Sequence, residues 1–370
     1  MELKFEDFAI LLALNQNPFM SISELSRQIK VPESEATERY DLLKAKGVIK
    51  NPVAIFNPES LGLQRIHVIT VLPDHSCLEV MEELCTAHPY THFRTRIFGG
   101  NIGVFIQFDI PIGTRKYIEM LFETLVEKKI ITSFEISESN GVRTESYPNL
   151  EKYNAGTSSW SFIWPIWFAT LEVDPPRLPS PLETRRNLSE FTPAQGKILE
   201  VLTENASLSI DELSDKTGLN REVVETEYPI VKEKYVGAIR FMYDRKIFDL
   251  TETIIAFGSE VDLLRQARLY NGIKKDAPPF FLSLDILKDN KILIWITMSP
   301  GQASDFTYAC WQNIPNLKIH VLDTKTQGSM LYCFYPENFD FTSEKWKASQ
   351  EYMVDEPLHA TKNAMVNIQK

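Results

Sequence analysis

The chain has 370 residues, 44% of them hydrophobic and 24% charged, with a formal net charge of −11. That is the make-up of a globular protein with room for several domains. The acidic balance excludes a protein that coats nucleic acid through bulk charge, because that mode depends on Lys and Arg neutralising phosphates. Cys77, Cys85, Cys310 and Cys333 form no CxxC pair and have no histidine at zinc-finger spacing. They read as buried thiols of a reducing compartment, and no metal or cofactor is expected. The amino terminus MELKFEDF lacks the basic and apolar regions of a signal peptide. The most hydrophobic run, Trp160 to Leu171, contains Pro165 and is shorter than a bilayer span. The expectation is a cytoplasmic protein with no membrane partner.

The stretch SISELSRQIK, from Ser21, recurs as SIDELSDKTG from Ser209, an offset of 188. The same offset pairs Ile66 with Ile254, Phe93 with Phe281, Gly113 with Gly301, and Tyr147-Pro148 with Tyr335-Pro336. Such persistence indicates duplication of one unit of about half the chain.

In the first copy, Phe8, Leu11, Leu12 and Asn15 recur at helical spacing, and Asn17-Pro18 ends that helix. Ser21 and Glu24 form a capping box for a second helix, with Ile22, Leu25 and Ile29 on one face. After Val31-Pro32 a third helix runs from Glu33 to Lys46, with Gly47 at its end. VIKNPVAIF then reads as a β-ribbon interrupted by Asn51 and Pro52. Three helices and a ribbon make a winged helix-turn-helix, whose third helix enters a major groove. From Arg65 the pattern is strand, helix, strand, strand, helix, strand, the ferredoxin-like order.

In this arrangement NPFMSISELSRQIKVPESEATERYDLLKAKGVIKNPVAIFNPESLGL, followed by a βαββαβ unit, resembles the Lrp/AsnC family of prokaryotic transcription regulators. The resemblance covers residues 5 to about 140, and it rests on the GVI after the third helix, the LGL before the first strand, and the domain order. It implies modules that join a DNA-reading winged helix to an effector-binding and oligomerisation domain. Double-stranded DNA, a small-molecule effector such as an amino acid, and a homo-oligomer are the partners it implies.

The expected fold class is therefore α+β, a tandem duplication of a winged helix plus a ferredoxin-like domain. The divisions are 1–60, first winged helix; 61–148, first ferredoxin-like domain; and 149–187, connector. The second copy follows as 188–250, a degenerate winged helix; 251–340, ferredoxin-like; and 341–370, a tail. In the connector, Trp160, Trp164 and Trp167 read as a plug for a groove on the first module, and Pro175, Pro176, Pro179 and Pro181 as an extended spacer. In the second copy Pro229 interrupts the third helix, so that copy reads as degraded for groove reading. No ordered structure is expected after Pro357.

For DNA contact the candidates are Ser34, Glu35, Thr37, Glu38, Arg39, Lys44, Lys46 and Lys50. The residues near the helix start would face base edges, and Arg39 and the lysines would hold phosphates. Glu33, Glu35, Glu38 and Asp41 oppose a phosphate backbone, so a structural or protein-binding winged helix is the competing reading. For an effector, the resemblance points to the turn Gly99, Gly100, Asn101, where glycine frees backbone amides; a plain hairpin turn suits the same residues. A further cluster, His88, His92, Arg94 and Arg96, suggests a second function. Sirohaem decarboxylases share this architecture and use His and Arg near these strands on tetrapyrrole carboxylates. Against that stands a plain strand face, either solvated or paired with Glu and Asp of another element. No nucleophile pair, metal spacing or phosphate loop is present, so no catalytic residue is assigned and the protein reads as a non-enzyme. Within one chain the two copies would form a built-in pseudo-dimer.

Overall fold

The computed structural model describes residues 3–171, 177–324 and 328–368. The first copy begins with α1 (Phe5–Gln16), α2 (Ile22–Ile29) and α3 (Glu33–Ala45). The capping box at α2 is formed: the Glu24 carboxylate accepts from the Ser21 amide at 2.8 Å, and Ser21 Oγ accepts from the Glu24 amide at 3.3 Å. Then follow β1 (Ile49–Phe56), β2 (Leu63–Val71), α4 (Cys77–Ala87), β3 (Thr91–Phe98), β4 (Gly103–Pro111), α5 (Arg115–Glu127) and β5 (Ser133–Ser146). The connector forms β6 (Tyr153–Asn154), β7 (Ser159–Trp160) and α6 (Trp164–Thr170).

The second copy repeats the order with α7 (Pro193–Glu204), α8 (Ile210–Thr217), α9 (Arg221–Lys234), β8 (Val236–Tyr243), β9 (Glu252–Gly258), α10 (Leu263–Lys275), β10 (Phe281–Leu287), β11 (Lys291–Met298), α11 (Pro300–Asn313) and β12 (Lys318–Leu322). Its capping box is the same, with Ser209 N to Glu212 at 2.7 Å. Beyond it lie β13 (Met330–Leu331), β14 (Phe339–Asp340), β15 (Lys345–Trp346), a π turn (Glu351–Asp355), α12 (Glu356–Ala360) and α13 (Lys362–Ile368). No helix among the described residues is long and apolar enough to cross a membrane.

The expected ribbon within the first winged helix is instead shared between the copies. β1 is one strand, and it pairs antiparallel with β8, from Ile49 opposite Tyr243 to Phe56 opposite Val236. Asn51 and Pro52 fall at a register shift, the place where a strand tolerates a residue without an amide hydrogen. The two ferredoxin-like sheets, β5-β2-β4-β3 and β12-β9-β11-β10, join through β5 with β10 and through β12 with β3. Eight strands thereby close into a barrel, and the sheet edges that each copy would leave open are paired. One layer of its interior is apolar, built from Ile97, Phe105, Ile255, Phe257, Leu293 and Leu322.

The helix cores outside the barrel cross over. Ile10, Leu11, Leu25 and Leu43 of the first winged helix share a core with Ile254, Ile294 and Phe306 of the second ferredoxin-like half. Leu199, Leu213, Val224 and Val231 of the second winged helix share one with Ile66, Phe108 and Leu121 of the first.

The segment after each copy also packs on the opposite copy. Trp164 lies fully buried against Phe280 and Phe306, and the Trp167 indole donates to Asp276 O at 2.7 Å, so the tryptophans cover the second module and not the first as expected. Trp160 donates to Phe248 O and Trp346 to Leu61 O, each at 2.7 Å, which makes the two extensions counterparts. The tail is ordered beyond Pro357, as α12 and α13, because it packs on α4. Pro179 and Pro181 lie in a segment without helix or strand; Pro175 and Pro176 lie outside the described residues. α9 runs unbroken through Pro229, since Val224 and Val231 are fully buried and packing against α7 and α8 offsets the lost hydrogen bond.

The crossed cores predict one cooperative unfolding transition, coincident by circular dichroism and tryptophan fluorescence. Trp164→Ala should cost roughly 3–5 kcal/mol in urea denaturation. Trp164→Phe should cost far less, because the indole nitrogen is buried without an acceptor among the described residues. Two separated transitions would contradict the shared cores.

Candidate nucleic-acid interface

The third helix of the first copy is tied to α1 by ion pairs of Arg39. Arg39 reaches across to Asp7 at 3.1 Å and Glu6 at 3.5 Å on α1, and to Glu35 at 3.3 Å on its own helix. Arg39, expected on phosphates, is paired with these three carboxylates, two of which tie α3 to α1. Ala36 and Leu43 are the buried side of α3. Ser34, Thr37, Glu38, Asp41, Lys44, Lys46 and Lys50 are exposed, and Glu35 is half-buried. A cleft of about 610 Å³ between α1 and α3 is lined by Lys4, Asp7, Ser34, Glu35, Glu38, Arg39, Leu42 and Lys46. Most of the candidate positions thus share one solvent-open face. The two winged helices are close neighbours: Lys44 acts electrostatically on Glu212, and Lys232 lies 5.9 Å from the Phe19 ring.

The Gly99-Gly100-Asn101 turn is exposed, with φ of 116° at Gly99 and 76° at Gly100. A Cβ on Gly99 would lie 3.1 Å from Ile319 O of β12. Barrel closure beside the β3–β12 junction therefore accounts for this glycine.

The His and Arg cluster divides between two faces of the sheet. Arg94 and Arg96 share the helix-side face, where Glu82 pairs with them at 3.2 and 2.7 Å; Arg94 also donates to Gly328 O and Tyr332 Oη. His88 packs edge-on against Phe108. His92 lies elsewhere, with Nδ1 3.4 Å from Asp109. The four residues form no single site.

One end of the barrel carries a charged network that the sequence reading missed. Arg65 donates to both oxygens of Asp109 at 2.8 Å, Arg143 pairs with Glu59, and Arg240 with Glu145 at 3.0 Å. Deeper in, His67 Nε2 lies 2.8 Å from Asp285, which also accepts from Ser139 Oγ at 2.6 Å. Burial alone would raise the Asp109 carboxyl, but Arg65, His92 and Arg143 hold it down at about 2. The signal was present: in RIHVITV, Arg65 and His67 alternate with Ile66 and Val68, and in VFIQFDI, Gln107 and Asp109 alternate with Phe108 and Ile110. A period of two with polar residues on one side marks a strand with a polar interior face.

Residues 7–50 match the family described as winged helix-turn-helix DNA-binding. An uncharacterized HTH-type transcriptional regulator of Pyrococcus horikoshii is 39% identical over 85 residues, covering 23% of this chain and 54% of that protein. One from Pyrococcus abyssi is 38% identical over 79 residues, covering 21% and 50%. The chain spans about half the length of these relatives. The siroheme decarboxylase NirDL has the same fold along its whole length: 98% of this chain and 100% of that one, TM-score 0.50, 10% identity. A winged helix followed by a ferredoxin-like domain, twice over, is a tandem α+β architecture duplicated in one polypeptide.

Buried histidines make stability depend on pH. Burial, first of all, holds His88 and His92 down at about 3, with Arg65 adding to the effect at His92. Between 6.5 and 3 the unfolded chain binds protons that the folded chain refuses, so stability is greatest above 6.5 and falls as pH drops. Urea unfolding at pH 5 should give a free energy lower than at pH 7.5 by on the order of 2 kcal/mol per histidine. His92→Gln should remove part of that slope, and equal stabilities at both pH values would refute the assignment.

Proposed function

We propose that the protein is a DNA-binding transcription regulator of the Lrp/AsnC type, in which one chain takes the place of a dimer. The observation that carries the reading is the match of residues 7–50 to a DNA-binding winged helix whose third helix is open to solvent. Ser34, Thr37 and Glu38 sit where side chains of a reading helix meet base edges, and Glu38 suits a cytosine N4 donor. Lys44, Lys46 and Lys50 supply the phosphate contacts. Because Arg39 is committed to Asp7, Glu6 and Glu35, the positive charge comes from the end of α3 and from β1.

The pseudo-dimer has support in the pairing of β1 with β8 and in the closure of the barrel by strands of both copies. Both join what would otherwise be separate subunits. A homo-oligomer of such chains presents further winged helices to successive turns of DNA. Arg94 and Arg96 are engaged by Glu82, which leaves the decarboxylase-like reading without a free carboxylate clamp on that strand.

Fluorescence anisotropy on genomic fragments from the source organism, across a salt series, tests this. The wild-type chain should select particular fragments at low salt. Changing Lys44, Lys46 and Lys50 together to Glu should weaken binding by about tenfold or more and flatten the salt dependence by about one unit per lost phosphate contact. Glu38→Gln should alter fragment preference with the salt slope intact. Absence of selective binding at low salt would remove the reading.

A further inference from the structure

Between the β1–β8 ribbon and the charged end of the barrel lies a cavity of about 300 Å³, lined by Asn57, Arg65, Arg143, Thr144, Gly237 and Lys274 among others. We infer that this cavity is a binding site for a small oxyanion, a phosphate- or carboxylate-bearing metabolite, that ties the ribbon to the barrel.

The charge is the first argument. Arg65, Arg143 and Lys274 line the cavity, and Arg240 pairs with its lining residue Glu145; Asp109, Glu59 and Glu145 are the carboxylates that pair with the arginines. Among the described residues Lys274 has no carboxylate partner. Arg245 and Arg240 lie over the same Phe281 ring, at 5.5 and 4.8 Å. In a chain whose net charge is −11, this concentration of guanidinium groups is a local exception.

Unused donors are the second argument. Arg65 spends Nε and one terminal nitrogen on Asp109, and Arg143 spends one terminal nitrogen on Glu59. The remaining guanidinium hydrogens have no acceptor among the described residues, and a guanidinium fork is suited to oxyanions. Arg240 Nε and Thr144 Oγ1 are buried with no partner there. The electrostatic field agrees: at His92, Arg65, Arg143 and Arg240 all act to disfavour the proton, opposed by Asp109.

The duplication supplies the third. At the offset of 188, Arg65, Arg240 and Arg245 correspond to Thr253, Pro52 and Asn57. The other copy makes the same ribbon and the same strands without these charges, so the fold does not require them. The site also has a mechanical position. Asn57 and Gly237 belong to the ribbon side, where a Cβ on Gly237 would meet Asn57 Oδ1 at 2.4 Å, and Arg65 and Arg143 belong to the barrel. An anion held by both sets the winged helices relative to the barrel, a regulatory consequence that rests on the DNA-binding reading.

Calorimetric titration of the full chain with inorganic phosphate and, separately, citrate tests the site, with potassium chloride at matched ionic strength as control. Saturable binding of either probe is expected, and the one that binds tells phosphate from carboxylate selectivity. Lys274→Glu, at an exposed position, and the paired change Glu59→Gln with Arg143→Gln should each weaken it about tenfold or more. If the paired variant fails to fold, Lys274→Glu decides. No saturable heat from either probe, or unchanged affinity in Lys274→Glu, overturns the inference. Anion binding in a chain that does not select DNA would sink the regulator reading and leave the site standing. DNA selection without anion binding would do the reverse.

Discussion

The structure depends on the pairing of strand edges between two copies of one module. A four-stranded ferredoxin-like sheet leaves two edges with unpaired amides and carbonyls, and β3 and β5 are those edges in the first copy. Each finds its partner on the other copy, β12 and β10, so neither half completes its hydrogen bonding alone. The ribbon of β1 with β8 applies the same solution one level up, between the winged helices. Once edges are shared, helices that cover one sheet come into reach of the other copy's first three helices, and the cores cross.

The barrel interior shows how such a closed form accommodates charge. Its apolar layer packs Phe105, Ile255 and Leu293, while the other end buries Asp285 among His67, Ser139 and Arg143. Burial works to raise the Asp285 carboxyl; His67 above all, with Arg143 and Ser139, outweighs it and keeps the group below its ordinary value. This contact joins β2 and β10, strands of different copies with β5 between them. A buried acid whose partners come from the opposite copy specifies which strands meet, because any slipped pairing would leave a charge without compensation.

What was legible in the sequence was local or repeated. The capping boxes at Ser21 and Ser209 and the strand–helix order of each half need only neighbouring residues, and a persistent offset reveals duplication. What was not legible depended on distant parts of the chain. Nothing near Trp164 tells that its surroundings are Phe280 and Phe306, more than a hundred residues later. Nothing in the tail tells that α4 will order it. The partners of Arg39 lie partly on another helix, and the arginines of the barrel meet their acids only through strand pairing. The cost of Pro229 is local and visible in the sequence, while the burial that offsets it is tertiary.

The crossing of the cores also bears on how the chain is made. Synthesis delivers α1, α2 and α3 first, yet the apolar groups that finish their core, from Phe248 to Ile314, leave the ribosome some two hundred residues later. Until then Ile10, Leu11 and Leu25 have only part of their final surroundings. A nascent amino-terminal half with open strand edges is prone to pair with another nascent half. Joining the copies in one polypeptide keeps the correct partner at high effective concentration during that interval, which separate subunits would have to find by diffusion.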